Sequence, residues 1–116
     1  MPHDAPERAA TRLEYHDSSL ESLAWLRPSE LVATLLIDPV WNPELRKGPQ
    51  PWTSPEARLH FRKVRNRAEI DRRLATLPFP IYPIDGLYSG GRGVFILAGA
   101  LLSEPLIITC ESIHEP

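Results

Sequence analysis

The chain has 116 residues, 42% hydrophobic and 24% charged, with a net charge of −2 and a pI near 6.1. That size and mixture suit one globular domain able to bury a core without metals or disulfides. The mild acidity excludes a general nucleic-acid coat and a strongly membrane-attracted protein. The single cysteine, Cys110, excludes an intrachain disulfide and points to a reducing, cytoplasmic setting.

Residues 1–17 are polar, carry two prolines and show no apolar period, so they are expected to form a mobile tail ahead of a single domain over 18–116. They contain no apolar stretch of the kind a secretory signal needs. Ser18 and Glu21 match the S-x-x-E capping box and predict a short helix through Leu20, Leu23, Ala24 and Trp25. Pro28 suits the first turn of a second helix with Leu31, Val32, Leu35 and Leu36 on its apolar face, ended by Asp38-Pro39. The following loop, residues 39–55, holds five prolines beside Trp41 and Trp52. Ser54-Pro55-Glu56 reads as a third helix start, with cap, proline and first-turn acid, and that helix is expected to run to about Leu77.

Beyond Pro78 the pattern changes. Ile81–Ile84, Val94–Leu97 and Leu106–Cys110 favour strands. Asp85-Gly86, Gly90-Gly91 and Glu104-Pro105 offer turn chemistry between them. The apolar run 94–110 is broken by Ser103-Glu104-Pro105 and falls short of the roughly 20 residues a membrane span needs. The expected fold class is therefore α+β, with about three N-terminal helices packed on a small C-terminal three-stranded antiparallel sheet.

Charge is unevenly placed. Residues 58–73 hold seven of the thirteen Lys/Arg and only two acids, Glu69 and Asp71, a segment charge of +5 where the remainder carries −7. On a helix, Arg58, Arg62, Arg65, Arg72 and Arg73 would share one arc of about 100°, between two apolar stripes. That arrangement makes a basic ridge, either a solvated face or a site for an anionic partner. Arginine outnumbers lysine six to one there, which favours bidentate contact with carboxylate or phosphate. In the loop, Trp41, Arg46 and Trp52 are residue types enriched where proteins meet.

Catalytic and metal chemistry find little support. Ser89-Gly90-Gly91-Arg92-Gly93 reads as a hairpin turn rather than a phosphate loop. Cys110 and His114 on one strand would stand about 13 Å apart, too far for a nucleophile and its base. His16-Asp17-Ser18-Ser19 has the letters of a triad but, on a mobile tail, no rigid geometry. No metal-ligand spacing and no cofactor motif is present. The expected function is a small cytosolic, non-catalytic protein-interaction module, an accessory, inhibitory or regulatory protein with a protein partner or self-association to a homodimer. Two alternatives remain: nucleic-acid binding through the basic segment 58–73, and a small hydrolase or transferase with Asp85, Tyr82 and Tyr88 near residues 82–93.

Overall fold

The computed structural model describes residues 7–45, 54–99 and 101–116. Its architecture is mostly β and overturns the expected three helices on a three-stranded sheet. In chain order the elements are β1 (Glu7–Arg8), β2 (Ser19–Arg27), β3 (Glu30–Leu36), a 3₁₀ turn at Pro43–Leu45, β4 (Glu56–Arg62), α1 (Arg67–Leu74), β5 (Ile84–Gly91), β6 (Val94–Gly99), β7 (Leu106–Thr109) and β8 (Ser112–His114). Two four-stranded sheets result, ordered β1-β5-β6-β7 and β2-β3-β4-β8, with every pairing antiparallel. Their inner faces share one core, in which the Phe61 ring of the second sheet meets the Phe95 ring of the first edge-on, centroids 6.2 Å apart.

The helical expectation failed for a definable reason. Leu31 and Leu35 lie four apart, which is one helical turn but also two strand repeats. In β3 the two-residue repeat wins: Leu31, Ala33 and Leu35 are buried and the residues between them are not. In β2 the pairing shifts between Leu20 and Ser22, and the extra residue turns both Leu20 and Leu23 inward. Such a bulge puts two core residues three apart in a strand, the spacing that imitates a helix. Pro28 and Ser29 form the two-residue connection of the β2–β3 hairpin, where proline's fixed φ suits a tight turn.

The expected third helix is split. Its first half is β4, where Glu56, Arg58, His60 and Arg62 alternate with Ala57, Leu59 and Phe61, and Leu59 and Phe61 are buried. Only Arg67–Leu74 is helical, and of that helix Ile70 alone is fully buried. Of the C-terminal strand readings, two stand close to the structure and one is corrected: Asp85-Gly86, expected as a turn after a strand over Ile81–Ile84, lies inside β5, and Ile81 makes only an isolated bridge to Leu20. Val94–Leu97 and Leu106–Cys110 fall on β6 and β7, and the Gly-rich stretch is the β5–β6 hairpin, closed at Arg92-Gly93. Of the described residues in the expected tail, Glu7 and Arg8 pair with β5, and Ala9, Leu13 and Tyr15 are buried in the core. No helix among the described residues is long and apolar enough to cross a membrane.

The outer edge of β7 is closed by a side chain. Asn66 Nδ2 donates to the carbonyl of Ile107 at 2.8 Å, and its Oδ1 accepts from the amide of Thr109 at 3.0 Å. The amide of Arg65 donates to the Thr109 carbonyl at 2.8 Å. Asn66 thus stands in for a strand residue on an edge that would otherwise be open to another chain. The Arg73 guanidinium extends the cover by donating to the carbonyls of Glu104 and Pro105. Asn66→Ala should cost about 1–2 kcal/mol in denaturant unfolding, the scale of two lost hydrogen bonds with partners left unpaired. It should also raise the tendency to aggregate, measured by light scattering, because the β7 edge becomes available.

Candidate functional site

The residues most unlike a passive surface lie where segment 14–18 meets the loop after β3. Asp38 opens that loop, and its Oδ1 accepts from the amide of Val40 at 2.8 Å, a local turn of the kind aspartate favours. Asn42 is buried and ties the loop to the N-terminal segment. Its Nδ2 donates to the carbonyls of Glu14 and Asp38, and its Oδ1 accepts from the Glu14 amide at 2.8 Å. Segment 14–18 is held from the other side as well. The Asp17 amide donates to the Ile84 carbonyl, and the Ile84 amide donates to the Ser18 carbonyl, both at 3.0 Å.

These bonds hold Asp17 at φ 62°, a left-handed conformation that non-glycine residues seldom adopt. Such a residue persists only where its surroundings over-determine it, and it gathers at functional sites. The kink sets three side chains side by side. One His16 nitrogen, Nδ1, bonds the Asp85 carbonyl at 2.8 Å. A carbonyl only accepts, so Nδ1 carries a proton and Nε2 is turned to Asp17 Oδ1, 3.5 Å away. The Trp41 indole stands edge-on to the imidazole, centroids 4.8 Å apart, and its Nε1 donates to Asp17 Oδ2 at 2.9 Å.

Beside them is a cavity of about 320 Å³ lined by Asp17, Ser19, Leu36, Asp38, Val40 and Tyr82, among others. Val40, Trp41 and Tyr82 are 56%, 47% and 60% exposed, half of the large hydrophobic side chains exposed among the described residues. Trp41 is the candidate contact residue from the sequence that falls at this site, half exposed. Arg46 and Trp52 lie outside the described residues. His16, Asp17 and Tyr82 were missed as members of one site. Only the αL aspartate and the sheet-to-sheet backbone bonds bring them to Trp41, and neither leaves a local sequence signal. The letters His16-Asp17-Ser18 do not form a triad: Ser18 is fully buried, and its Oγ accepts from the Asp38 amide at 3.3 Å. Of the residues considered for a site near 82–93, Tyr82 lines this cavity, while Asp85 and Tyr88 sit on β5.

The five arginines of the expected ridge occupy three different settings. Arg58 and Arg62 project from the outer side of β4, Arg65 lies in the link to α1, and Arg72 and Arg73 belong to α1. Arg58 reaches Glu56 at 3.8 Å, and Arg73 is occupied with the carbonyls before β7. The helix also holds Trp25: the Arg67 guanidinium lies 4.4 Å over its ring, and its Nε1 donates to Asp71 at 2.8 Å.

Two titratable groups in the core are structural. Burial, and then the hydrogen bond to Glu115, push the Tyr15 phenol well above its ordinary value, so it stays a proton donor. Glu115 accepts from Tyr15 Oη at 2.5 Å and from the amides of Arg12 and Leu13, pinning the end of the chain to residues 12–15. Burial pushes the Cys110 thiol up to about 11, which makes it a poor nucleophile at neutral pH. No group of three His, Cys, Asp or Glu placed to hold a metal occurs among the described residues.

Neither a protein-family model, nor a curated protein, nor a solved structure matches this chain at a significant level.

On the outer side of β4, His60 Nδ1 bonds Glu30 Oε2 at 2.7 Å. That bond, and then the nearby positive charges, hold the Glu30 carboxyl below its ordinary value. A depressed carboxyl contributes stability above its unfolded pKa and loses it as pH falls through the folded value. Wild type should therefore lose stability more steeply than Glu30→Gln between about pH 5 and pH 3, a difference readable in urea midpoints across that acid limb.

Proposed function

We propose that the protein is a non-catalytic protein-interaction module whose docking face is the corner around Trp41. The observation that carries this reading is the convergence of exposed Val40, Trp41 and Tyr82 on a backbone held rigid by Asn42 and the left-handed Asp17. Tryptophan and tyrosine concentrate binding energy in interfaces, and a rigid loop loses little entropy when it is covered. Asp17 and Asp38 at the rim of the cavity favour a partner that presents an arginine or lysine beside an apolar side chain. The buried, unpaired Cys110 suits a reducing compartment, and the cytosol is where we place the module.

A second copy of the chain is the first partner to consider. Arg58 and Arg62 on β4 supply the cations that the Trp41 corner lacks, and one copy could seat its corner on the other's basic strand. Nothing in the arginine placement favours duplex binding in the same way, because the five side chains are spread over three settings rather than one stripe.

The double variant Trp41→Ala/Tyr82→Ala should retain the wild-type urea midpoint within about 1 kcal/mol, because both side chains are largely exposed. It should lose at least about 2 kcal/mol of affinity, roughly thirtyfold in Kd, for the partner recovered by affinity capture from the native host and then purified. Sedimentation equilibrium of the same two proteins reads self-association. A purified partner, or a dimer, that is indifferent to both substitutions would remove this reading.

A further inference from the structure

The open side of the second sheet ends in a cleft of about 560 Å³ that shares no lining residue with the cavity beside Trp41. Arg27 enters it from the end of β2, Glu30 from the start of β3, His60 and Arg62 from β4, Lys63 from the residue after β4, and His114 from β8. The two-residue repeat puts His60 and Arg62 on one face of β4. Antiparallel register then sets His60 opposite His114, with ring centroids 6.0 Å apart.

The cleft is arranged rather than incidental. Glu30 accepts from His60 Nδ1, which fixes the ring and leaves Nε2 without a partner among the described residues. Glu30 is thereby occupied and is the one carboxylate side chain in the lining, which Pro116 also joins. Arg27 and Arg62 make no ion pair among the described residues, although both act on Glu30. Lys63 has φ 56°, the second left-handed non-glycine residue among those described, and the next amide, of Val64, is held by the Ser29 carbonyl at 2.8 Å. A left-handed lysine fixed at the mouth of a basic cleft is strain at the place where a ligand would use it. Lys63 Nζ is already paired, reaching Glu111, a residue outside the lining, at 3.4 Å.

We infer that this cleft binds a small anion of the phosphate class, the phosphate group of a monoester such as a nucleotide or free phosphate itself. Arginine offers donors and no acceptors, so the two unpaired guanidinium groups of Arg27 and Arg62, meeting at one space, leave a demand for acceptor oxygens. A carboxylate presents two oxygens in a plane and is satisfied by one guanidinium fork. A phosphate presents three or four oxygens in three dimensions and meets the guanidinium groups arriving from β2 and β4 together. The imidazoles of His60 and His114 close the remaining side.

The test is calorimetric titration of the full chain at constant ionic strength with inorganic phosphate, a 5′-nucleoside monophosphate, acetate, and a single-stranded RNA oligomer. Saturable binding of phosphate or the monophosphate, at least about tenfold tighter than acetate, is the expected result. Stronger binding of the monophosphate than of phosphate identifies an ester as the natural source, and equal binding identifies the free ion. Arg62→Ala and His114→Gln should each weaken it by about tenfold, the cost of losing one charge-assisted contact. Arg72→Ala, on α1 and outside the cleft, should leave it unchanged. Unchanged thermal unfolding of the exposed-site variants confirms that they are folded. Equal binding of acetate, equal loss in Arg72→Ala, RNA binding without phosphate binding, or no saturable heat with either phosphate ligand would each overturn the inference.

Discussion

The structure depends on one backbone junction, where residues 17–20 meet residues 81–84. Leu20 and Ile81 exchange amide–carbonyl hydrogen bonds at 2.9 Å each, and Asp17 and Ser18 exchange theirs with Ile84. β2 belongs to one sheet and β5 to the other, so this ladder of four bonds is where the two sheets are joined. Buried backbone groups must find partners, and here they find them across the sheets rather than within one. The left-handed turn at Asp17 is the conformation that lets the chain pass from β1, which is paired to β5, into β2 of the other sheet with those bonds intact.

The consequences reach the surface. Because Asp17 is fixed, its carboxylate stands where Trp41 Nε1 and His16 can both meet it. Because the Ile81 end is fixed, Tyr82 stands outside the core and lines the same cavity. The rim of that cavity is thus built from residues 17, 38, 40 and 82, distant in sequence and close only through the sheet junction. Asn42 plays the matching role for the loop, satisfying three backbone groups with one buried amide. Polar groups buried without such partners would be costly, and none occurs among the described side chains.

The arginine-dense segment shows how one stretch of sequence can serve unrelated ends. In β4 it alternates, sending cations outward and Leu59 and Phe61 inward. Past Lys63 it becomes an edge cover, in which Asn66 occupies β7, Arg73 holds the carbonyls just before it and Arg67 stacks on Trp25. Its positive charge is therefore divided between a basic cleft on the open sheet face and a helix that protects a strand edge. Protection of an exposed edge is a recurring need of β proteins, and here it uses a helix too short to be stable alone.

The sequence by itself carried the strand character of 94–97 and 106–109 and the glycine hairpin, and it marked Trp41 as a candidate contact residue without deciding between surface and core. Those features are local: turn glycines, β-branched runs and residue type carry them. The first two-thirds of the chain was not legible in that way. Leu31 and Leu35 satisfy a helix and a strand equally, the β2 bulge gives Leu20 and Leu23 a helical spacing, and Ser54-Pro55-Glu56 offers a cap that nothing follows. Strand pairing decided those cases, because β3 gains a partner on each side only when β2 and β4 are extended too. The same holds for the sites. Composition placed cations in 58–73, but only register sets His60 against His114 and only the sheet junction sets Asp17 against Trp41. Contacts between residues tens of positions apart are made by the folded backbone, and no local pattern in the chain encodes them.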